Sequence, residues 1–298
     1  MSIFAEIIGH KDQCAYLERI SDLDALAHAY VFSGPAHLGK KTIAQQLVSQ
    51  YQNVTTVSRP IDEKTGLFKK AIPVESIRDL RADLQLTSFD GGKKVAIITD
   101  ADTMTIAAQN ALLKTLEEPK GDTILILIAT KADSLLETIR SRSVHLRFRP
   151  VARDDIQEAV KDEEISGFAA GRPGIALNLL ENESKEEFTE KLDQAKLFLA
   201  NSFAKRLKVI ELAVKEKQSN HLSQTIQAWR QVAHDCLLIA SGNIAQANQQ
   251  KELEELAKSK TSAQWAQALH ALGAAEDSIS KNANANIALE QFAIQLGL

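Results

Sequence analysis

The chain has 298 residues, of which 44% are hydrophobic and 25% charged, a composition typical of a soluble globular protein with two or three domains. Its formal net charge of −4 excludes a protein covered in basic charge for binding nucleic acid, although a local basic strip is compatible with it. Two cysteines without zinc-like spacing, Cys14 and Cys236, predict reduced thiols rather than a disulfide framework.

Strands and helices alternate through the first 150 residues. Strands are predicted at 30–33, 95–99, 123–129 and 144–148, and helices at 40–51, 74–86 and 105–118. Residues 54–68 are polar and rich in turn-forming side chains, and predict a loop with at most one strand. Alternating strands and helices favour a parallel sheet with helices on both faces.

After Pro150 the chain shows no further strand pattern. Residues 153–180 predict a small helical unit interrupted at residues 171–174, and helical spacing continues from 184 to the end. The clearest of these helices are predicted at 264–279 and 286–296. The sequence therefore predicts three domains, at residues 1–150, 151–182 and 183–298.

A phosphate-binding pattern, GxxxxGK, lies between a predicted strand and a predicted helix, from Gly34 through Gly39 to Lys40. The glycines let backbone amides face a phosphate, the helix N-terminus adds positive potential, and the lysine neutralises phosphate charge. An active site continues with a Ser or Thr hydroxyl for Mg²⁺, but this chain has Lys41. Thr42 follows one residue later, turned by about 100° around the helix. The pattern is compatible with binding of ATP or ADP. The alternative is an inherited loop that holds no nucleotide.

The acidic residues after the predicted strand at 95–99 also differ from those of an active ATPase. An active P-loop ATPase ends a neighbouring strand with Asp then Glu, for magnesium and for the attacking water. Here the two positions hold Thr99, which has no charge, and Asp100, which is one methylene shorter than Glu. A shift of one residue, which would make Asp100 the magnesium ligand, is the open alternative. Two deficient positions predict a site with little ATPase activity.

Several segments resemble the AAA+ domain of bacterial clamp-loader subunits. They are KVAIITDAD at 94–102, AAQNALLKTLEEP at 107–119 and IRSRS at 139–143, preceded in the family's order by IIGH at 7–10 and by the phosphate loop. NANIALE at 284–290 resembles the family's last collar helix, so the resemblance covers essentially the whole chain. It implies an α/β AAA+ P-loop domain with a parallel sheet, followed by a small helical lid and an all-α C-terminal collar domain.

Within that family, the altered nucleotide site favours the delta-prime class over the ATP-hydrolysing gamma/tau class. Gly174 occupies the place where active subunits generally carry a sensor arginine, and Arg172 is out of phase with it. Thr130 resembles the first sensor position. Many relatives carry four zinc-binding cysteines after the phosphate-loop helix, but residues 51–66 contain none, so no zinc and no other metal is expected. Ser143 stands where the family often has Cys.

The resemblance also implies roles for several basic residues. Arg142, in the Ser-Arg motif, would act as an arginine finger on ATP held by a neighbouring subunit, and an ordinary surface salt bridge is the alternative. Four further residues would contact DNA phosphates inside the assembled complex, with a solvated helix face and a turn as the alternative. These four are Arg78, Arg81, Lys93 and Lys94.

The implied partners are gamma/tau-like and delta-like subunits, the sliding clamp, and primed DNA through the assembled complex, with no membrane. Because no signal peptide and no run of roughly 18 to 20 apolar residues is visible, we expect a cytoplasmic protein. Three other interpretations stay open: an ATP-hydrolysing gamma/tau-like subunit, a P-loop enzyme such as a nucleotide kinase, and a replication scaffold with no site in trans. The kinase would need a substrate-binding lid and an acidic pocket, which the helical second half does not offer.

Overall fold

A computed structural model describes residues 2–61, 68–85, 92–119, 122–181, 185–215, 221–243, 250–280 and 283–297. The chain divides into two compact units. The first comprises Met1–Lys161 with Gly171–Ile175, and the second comprises Asp162–Ala170 with Ala176–Leu298. The division into three domains at residues 150 and 182 stays a prediction.

The first unit contains one parallel sheet. Within the described residues its strands, β1 to β5, are Ala29–Ser33, Asn53–Val57, Lys94–Ile98, Thr123–Ala129 and Val144–Arg147. Their order across the sheet is β2-β3-β4-β1-β5, and every adjacent pair is parallel. The predicted parallel sheet is therefore confirmed. β2 is the single strand that the polar segment allowed, and β3 ends one residue before Thr99, which lies in a turn.

Six helices of the described residues accompany this sheet. They are α1 Lys11–Asp22, α2 Lys40–Leu47, α3 Val74–Gln85, α4 Ile106–Glu117, α5 Glu137–Ser141 and α6 Arg153–Val160. α2 is four residues shorter than its sequence pattern indicates, because the chain turns after Val48 to begin β2. The sequence interpretation contained neither α1 nor α5, and α5 is too short to show a helical period.

The two faces of the sheet bury different helices, because successive side chains of a strand point to opposite faces. In β4, the even-numbered residues pack with α1 and α2, and the odd-numbered residues pack with α3, α4 and α5. The even set is Ile124, Ile126 and Ile128, and the odd set is Leu125, Leu127 and Ala129. A strand covered on both faces reads as a continuous apolar run. That run is the reason why β4 was predictable to the residue.

The carboxyl ends of the parallel strands meet at one edge of the sheet, which is the usual place for a ligand site in an open α/β fold. The phosphate loop follows β1, Thr99 and Asp100 follow β3, and Thr130 follows β4. β5 ends beside the loop, since the N–H of Phe148 donates to the carbonyl of Ser33 at 2.7 Å. The fold thus brings the sequence motifs for nucleotide binding together at this edge.

The remaining described elements are helices joined by short turns, and no described residue after Arg147 belongs to a strand. These helices are α7 Glu163–Phe168, α8 Pro173–Glu181, α9 Lys185–Ala200, α10 Phe203–Lys215, α11 His221–Ala240, α12 Gln250–Lys258, α13 Ser262–Ser280 and α14 Ala285–Gln295. In the core of the second unit the rings of Phe198 and Trp229 are stacked, with centroids 3.8 Å apart. Among the described residues, no helix combines the length and apolar character needed to cross a bilayer.

Candidate functional site

Two glycines shape the loop between β1 and α2. Gly34 has a φ of +140°, and a Cβ added there would lie 2.2 Å from the carbonyl oxygen of Phe148. Gly39 is the N-cap of α2 with a φ of +81°, in open space. Residue 34 must therefore be glycine for both conformation and space, whereas residue 39 needs glycine only for its left-handed backbone.

Lys40 is held inside this loop. Only 6% of the residue is exposed, and its Nζ donates to the carbonyls of Gly34 at 2.6 Å and of Pro35 at 2.5 Å. Burial lowers the pKa of Lys40 to about 8, although the nearby carboxylates of Asp102 and Asp100 favour the charged form. The ammonium group is thus placed beneath the loop, where it can offset the charge of a phosphate.

Two further contacts fix the loop. The Nε2 of His10 lies 2.9 Å from the carbonyl oxygen of Leu38, and burial lowers the pKa of His10, so that a neutral ring donates this hydrogen bond near neutral pH. The N–H of Gly174 donates to the carbonyl of His37 at 2.9 Å. Sequence reasoning assigned no role to His10; its position in the family-like segment at 7–10 was the available signal.

Gly174 therefore does more than lack a sensor arginine. A Cβ at this position would lie 3.1 Å from the carbonyl oxygen of His37, closer than most side chains tolerate. Any larger side chain would have to displace the phosphate loop or move away from it. The glycine allows the backbone to approach the loop closely and to donate its N–H.

The magnesium side of the site carries unsuitable groups. Lys41 and Thr42 are exposed on the first turn of α2. The hydroxyl of Thr99 donates to the carbonyl of Val57 at 3.3 Å. Asp100 has a left-handed backbone, and its Oδ2 accepts from the Nε of Arg59 at 3.2 Å. The carboxylate that would orient water thus faces a guanidinium from the same chain.

Thr130, at the first sensor position, is tied to Asp102. Its N–H donates to Oδ2 of Asp102 at 3.2 Å, and its hydroxyl donates to the same oxygen. Sequence reasoning quoted Asp102 only as part of a motif, and it did not identify Arg59 as a partner of Asp100. Both contacts join residues that are distant in sequence, so no local pattern indicates them.

The donor groups fit a phosphate better than a magnesium ion. The backbone of the loop and the buried Lys40 match the requirements of an ATP or ADP phosphate chain. Lys41 and Thr99 cannot supply the hydroxyl and the carboxylate that hold hydrated Mg²⁺, a cation that prefers oxygen ligands. In the described part of the chain, no cluster of three or more His, Cys, Asp or Glu side chains is arranged for a metal.

Arg142 caps the C-terminus of α5. Its Nη2 lies 3.1 Å from Oε1 of Glu117, its Nη1 donates to the carbonyl of Thr138 at 3.3 Å, and 39% of its side chain is exposed. Exposed ion pairs are worth little in free energy, so the guanidinium can exchange this partner for another anion. Arg140 instead pairs with Asp133 at 2.6 Å.

The four basic residues suggested for DNA lie in different local surroundings. Arg78 is exposed and Arg81 half-buried on α3. Lys93 pairs with Asp24, and the Nζ of Lys94 donates to the carbonyl of Asp83 at 3.0 Å. Because the two lysines lie at the start of β3, they sit at the sheet edge opposite the phosphate loop.

Comparison with known proteins finds similarity to subunits of bacterial DNA polymerase III. A family profile described as DNA polymerase III, delta subunit, matches residues 50–152. The DNA polymerase III subunit delta' of Pseudomonas aeruginosa is 30% identical over 209 residues, which cover 60% of this chain and 63% of that protein. The Bacillus subtilis subunit delta' is 28% identical over 213 residues, covering 65% of this chain and 62% of that protein. The chain is thus similar to the delta-prime subunits of DNA polymerase III.

The chain matches less than two thirds of the length of each of these two relatives. The crystal structure of a DNA polymerase III gamma subunit-related protein from Thermotoga maritima superposes with a TM-score of 0.50. The match covers 94% of this chain and 98% of that one at 20% sequence identity. This likeness concerns the fold, and it agrees with the predicted AAA+ sheet followed by a helical C-terminal region.

Proposed function

We propose that this chain is the delta-prime subunit of a bacterial clamp loader, which helps to place the sliding clamp on primed DNA during replication. In this proposal it hydrolyses no ATP itself. It completes the ATP site of a gamma/tau-like neighbour with Arg142, and a delta-like subunit completes the complex. We also propose that the protein is cytoplasmic. In this proposal residues 151–182 form a lid domain and residues 183–298 form a collar domain.

The observation that carries the proposal is the contrast between the two functional groups of the first unit. The magnesium side of the loop holds Lys41 and Thr99, and the carboxylate of Asp100 is paired with Arg59. Arg142, by comparison, is exposed, and its contacts are a surface ion pair with Glu117, the carbonyl of Thr138 and the hydroxyl of Ser141. The chain therefore lacks suitable magnesium-binding groups in its own loop but carries an exposed cation that a neighbouring subunit could use.

The chemistry of such a finger is electrostatic. As the terminal phosphoryl group transfers to water, negative charge spreads over its equatorial and bridging oxygens, and a guanidinium aimed at them stabilises the transition state. In related phosphoryl transfers an arginine finger is worth roughly 10³ to 10⁵ in rate. Arg142 would leave Glu117 to make this contact.

The proposal is tested by Arg142→Ala in a reconstituted loader, with ATPase activity measured in the presence of clamp and primed DNA. We expect the site that uses the finger to slow by about 10³-fold or more, because its transition state loses a cation. Arg149→Ala, which removes an exposed arginine seven residues away, is the matched control and should leave activity unchanged. Equal activity of wild type and Arg142→Ala would refute the trans role.

The isolated chain distinguishes this proposal from the ATP-hydrolysing gamma/tau-like alternative. A fluorescent ATP analogue is titrated with and without Mg²⁺, and turnover is followed separately. We expect any binding to be independent of Mg²⁺, because Lys41 and Thr99 replace its ligands, and we expect no turnover. Tight, magnesium-dependent binding with hydrolysis would favour the alternative instead.

A further inference from the structure

A cavity of about 550 Å³ lies within the second unit, where α9, α10 and α12 meet. This volume is within the range of sites for small ligands. Two leucines of α9 and two of α12 form its apolar wall, and these are Leu197, Leu199, Leu253 and Leu256. Leu197 has 64% of its surface exposed, so the wall is open to a molecule that arrives from solution.

One cation of this cavity is buried. Arg206 on α10 lines the cavity and is only 6% exposed. Its Nε donates to the carbonyl of Phe198 at 3.2 Å, its Nη2 to that of Leu199 at 2.9 Å and its Nη1 to that of Ala293 at 3.5 Å. No carboxylate of the described residues pairs with this guanidinium. Because a guanidinium has five N–H groups, two of them remain for a further acceptor.

A second cation lines the same cavity. Lys260 follows α12, and its burial together with the charge of Arg206 lowers its pKa. Over the described ranges its ammonium group has no ion-pair partner, and Glu255, an exposed lining carboxylate, pairs with neither cation. Lys196 is the other charged lining residue, and it pairs with Asp193 at 3.0 Å. Arg206 and Lys260 therefore repel each other around a cavity in which neither has an ionic partner.

The two cations and the leucine wall define the chemistry of a ligand. A carboxylate between Arg206 and Lys260 would relieve their repulsion and accept the remaining N–H groups in charge-assisted hydrogen bonds, which are the stronger kind. The leucine wall would at the same time remove a large apolar group from water. The last residue of a peptide carries both groups on one Cα, whereas inorganic phosphate has no apolar part.

We propose that this cavity binds the carboxyl-terminal residue of a partner protein, with its carboxylate between Arg206 and Lys260 and its apolar side chain against the leucines of α9 and α12. The proposal goes beyond clamp loading. None of the lining residues belongs to the phosphate loop or contacts Arg142, so the site stands whether or not the finger role holds.

The test uses three small molecules that resemble a terminal residue. N-acetylphenylalanine has the carboxylate and the apolar side chain, its primary amide lacks the charge, and N-acetylglycine lacks the side chain. Each is titrated into the full chain, and the leucine methyl groups are followed by NMR. We expect N-acetylphenylalanine to shift the methyl signals of Leu197 and Leu253 with a Kd of about 1 mM. The two analogues should bind at least about tenfold more weakly, because each lacks one of the two features.

Two variants separate the charge from the apolar wall. Lys260→Gln should weaken binding of the acid by about fivefold and leave binding of the amide unchanged, a difference that a merely structural role would not produce. Leu197→Ser, at an exposed position, should weaken binding of the acid and the amide alike. Lys258→Gln is the matched control and should bind as wild type, since this exposed lysine pairs with Glu254 and does not line the cavity.

Several results would overturn the proposal. They are unmoved methyl signals of Leu197 and Leu253, equal binding of the acid and its amide, and wild-type binding of the acid by Lys260→Gln. Inorganic phosphate that binds more tightly than N-acetylphenylalanine would identify a simple anion site instead. Tighter binding of N-acetylaspartylphenylalaninamide, whose carboxylate is not terminal, would identify an internal acidic segment as the ligand, and the proposal would again fail.

Discussion

Single side chains separate this site from that of an active P-loop ATPase. Lys41 and Thr99 replace two magnesium-binding groups, and Arg59 neutralises the carboxylate of Asp100. Lys40 has kept the position of a phosphate-binding lysine but lies among backbone carbonyls, where burial shifts its pKa to about 8. The loop thus offers a buried cation on its phosphate side, but Lys41 and Thr99 stand at the positions that the P-loop pattern gives to magnesium-binding groups.

The lowered pKa of Lys40 has a measurable consequence for stability. Below pH 8 the folded state bears the cost of a buried cation, and between pH 8 and the ordinary value of 10.5 the unfolded state binds more protons than the folded state. The free energy of unfolding of wild type, relative to Lys40→Met, should therefore rise by roughly 3 kcal/mol across this range. Urea denaturation followed by circular dichroism at several pH values measures it.

The matched control is Lys41→Met, which removes the same charge from the exposed neighbouring position. The comparison isolates burial, because the two lysines share a helix turn and differ in exposure. The same rise relative to both variants, or no rise relative to Lys40→Met, would contradict the effect assigned to the buried ammonium group.

The shape of the phosphate loop depends jointly on strands β1 and β5 and on helix α2. Gly34 directly follows β1, and the carbonyl of Phe148, which directly follows β5, lies against it. Gly39 is the N-cap of α2. The loop is thus held by the neighbouring strand on one side and by His10 and Gly174 on the other. Its shape belongs to the assembled sheet, since the contacts come from segments far apart in sequence.

The two glycines of this loop predict different costs of substitution. Gly34→Ala should destabilise the first unit by about 3 kcal/mol or more, because a Cβ would overlap a backbone oxygen at 2.2 Å. Gly39→Ala should lower the free energy of unfolding by only about 1 to 2 kcal/mol. An added Cβ at residue 39 meets no other atom, so the only cost is that of a left-handed backbone for alanine. Hydrogen exchange of β1 and β4 peptides reports the unfolding free energy of this unit. Equal costs would argue against the overlap.

The charge of the whole molecule limits what the isolated chain can bind. The formal net charge is −4, Lys93 pairs with Asp24, and the Nζ of Lys94 donates to a backbone carbonyl, so two of the four suggested DNA-binding residues already have partners within the chain. Arg78 and Arg81 lie on one helix, too small a patch for tight binding by itself. DNA contact by this chain would then depend on basic groups contributed by other subunits.

We therefore expect the isolated chain to bind primed DNA no more tightly than about 10⁻⁵ M at physiological salt, as measured by fluorescence anisotropy. In the assembled loader, Arg78→Ala with Arg81→Ala should weaken DNA binding and reduce its salt dependence, because phosphate contacts release counterions. Lys69→Ala with Lys70→Ala is the control, since both lysines are exposed. Tight, steeply salt-dependent binding by the isolated chain would contradict this expectation.

Local sequence patterns were enough to predict the alternation of strands and helices, and they carry the predictions of a phosphate loop and of altered magnesium positions. These follow from local rules: an apolar run buried on both faces reads as β4, and GxxxxGK between a strand and a helix reads as a phosphate loop. Lys41 and Thr99 were identifiable because their positions are fixed relative to that local pattern. α5 was missed because five residues carry no period.

The contacts that hold the loop became visible only in the folded chain. The pairing of Arg59 with Asp100 and the approach of Gly174 to His37 join segments that lie 41 and 137 residues apart. Such contacts depend on strand order and on helix packing, which one sequence does not specify locally. The sequence therefore predicted which groups the phosphate loop lacks, and the fold shows which side chains and backbone groups contact the loop and its acidic side.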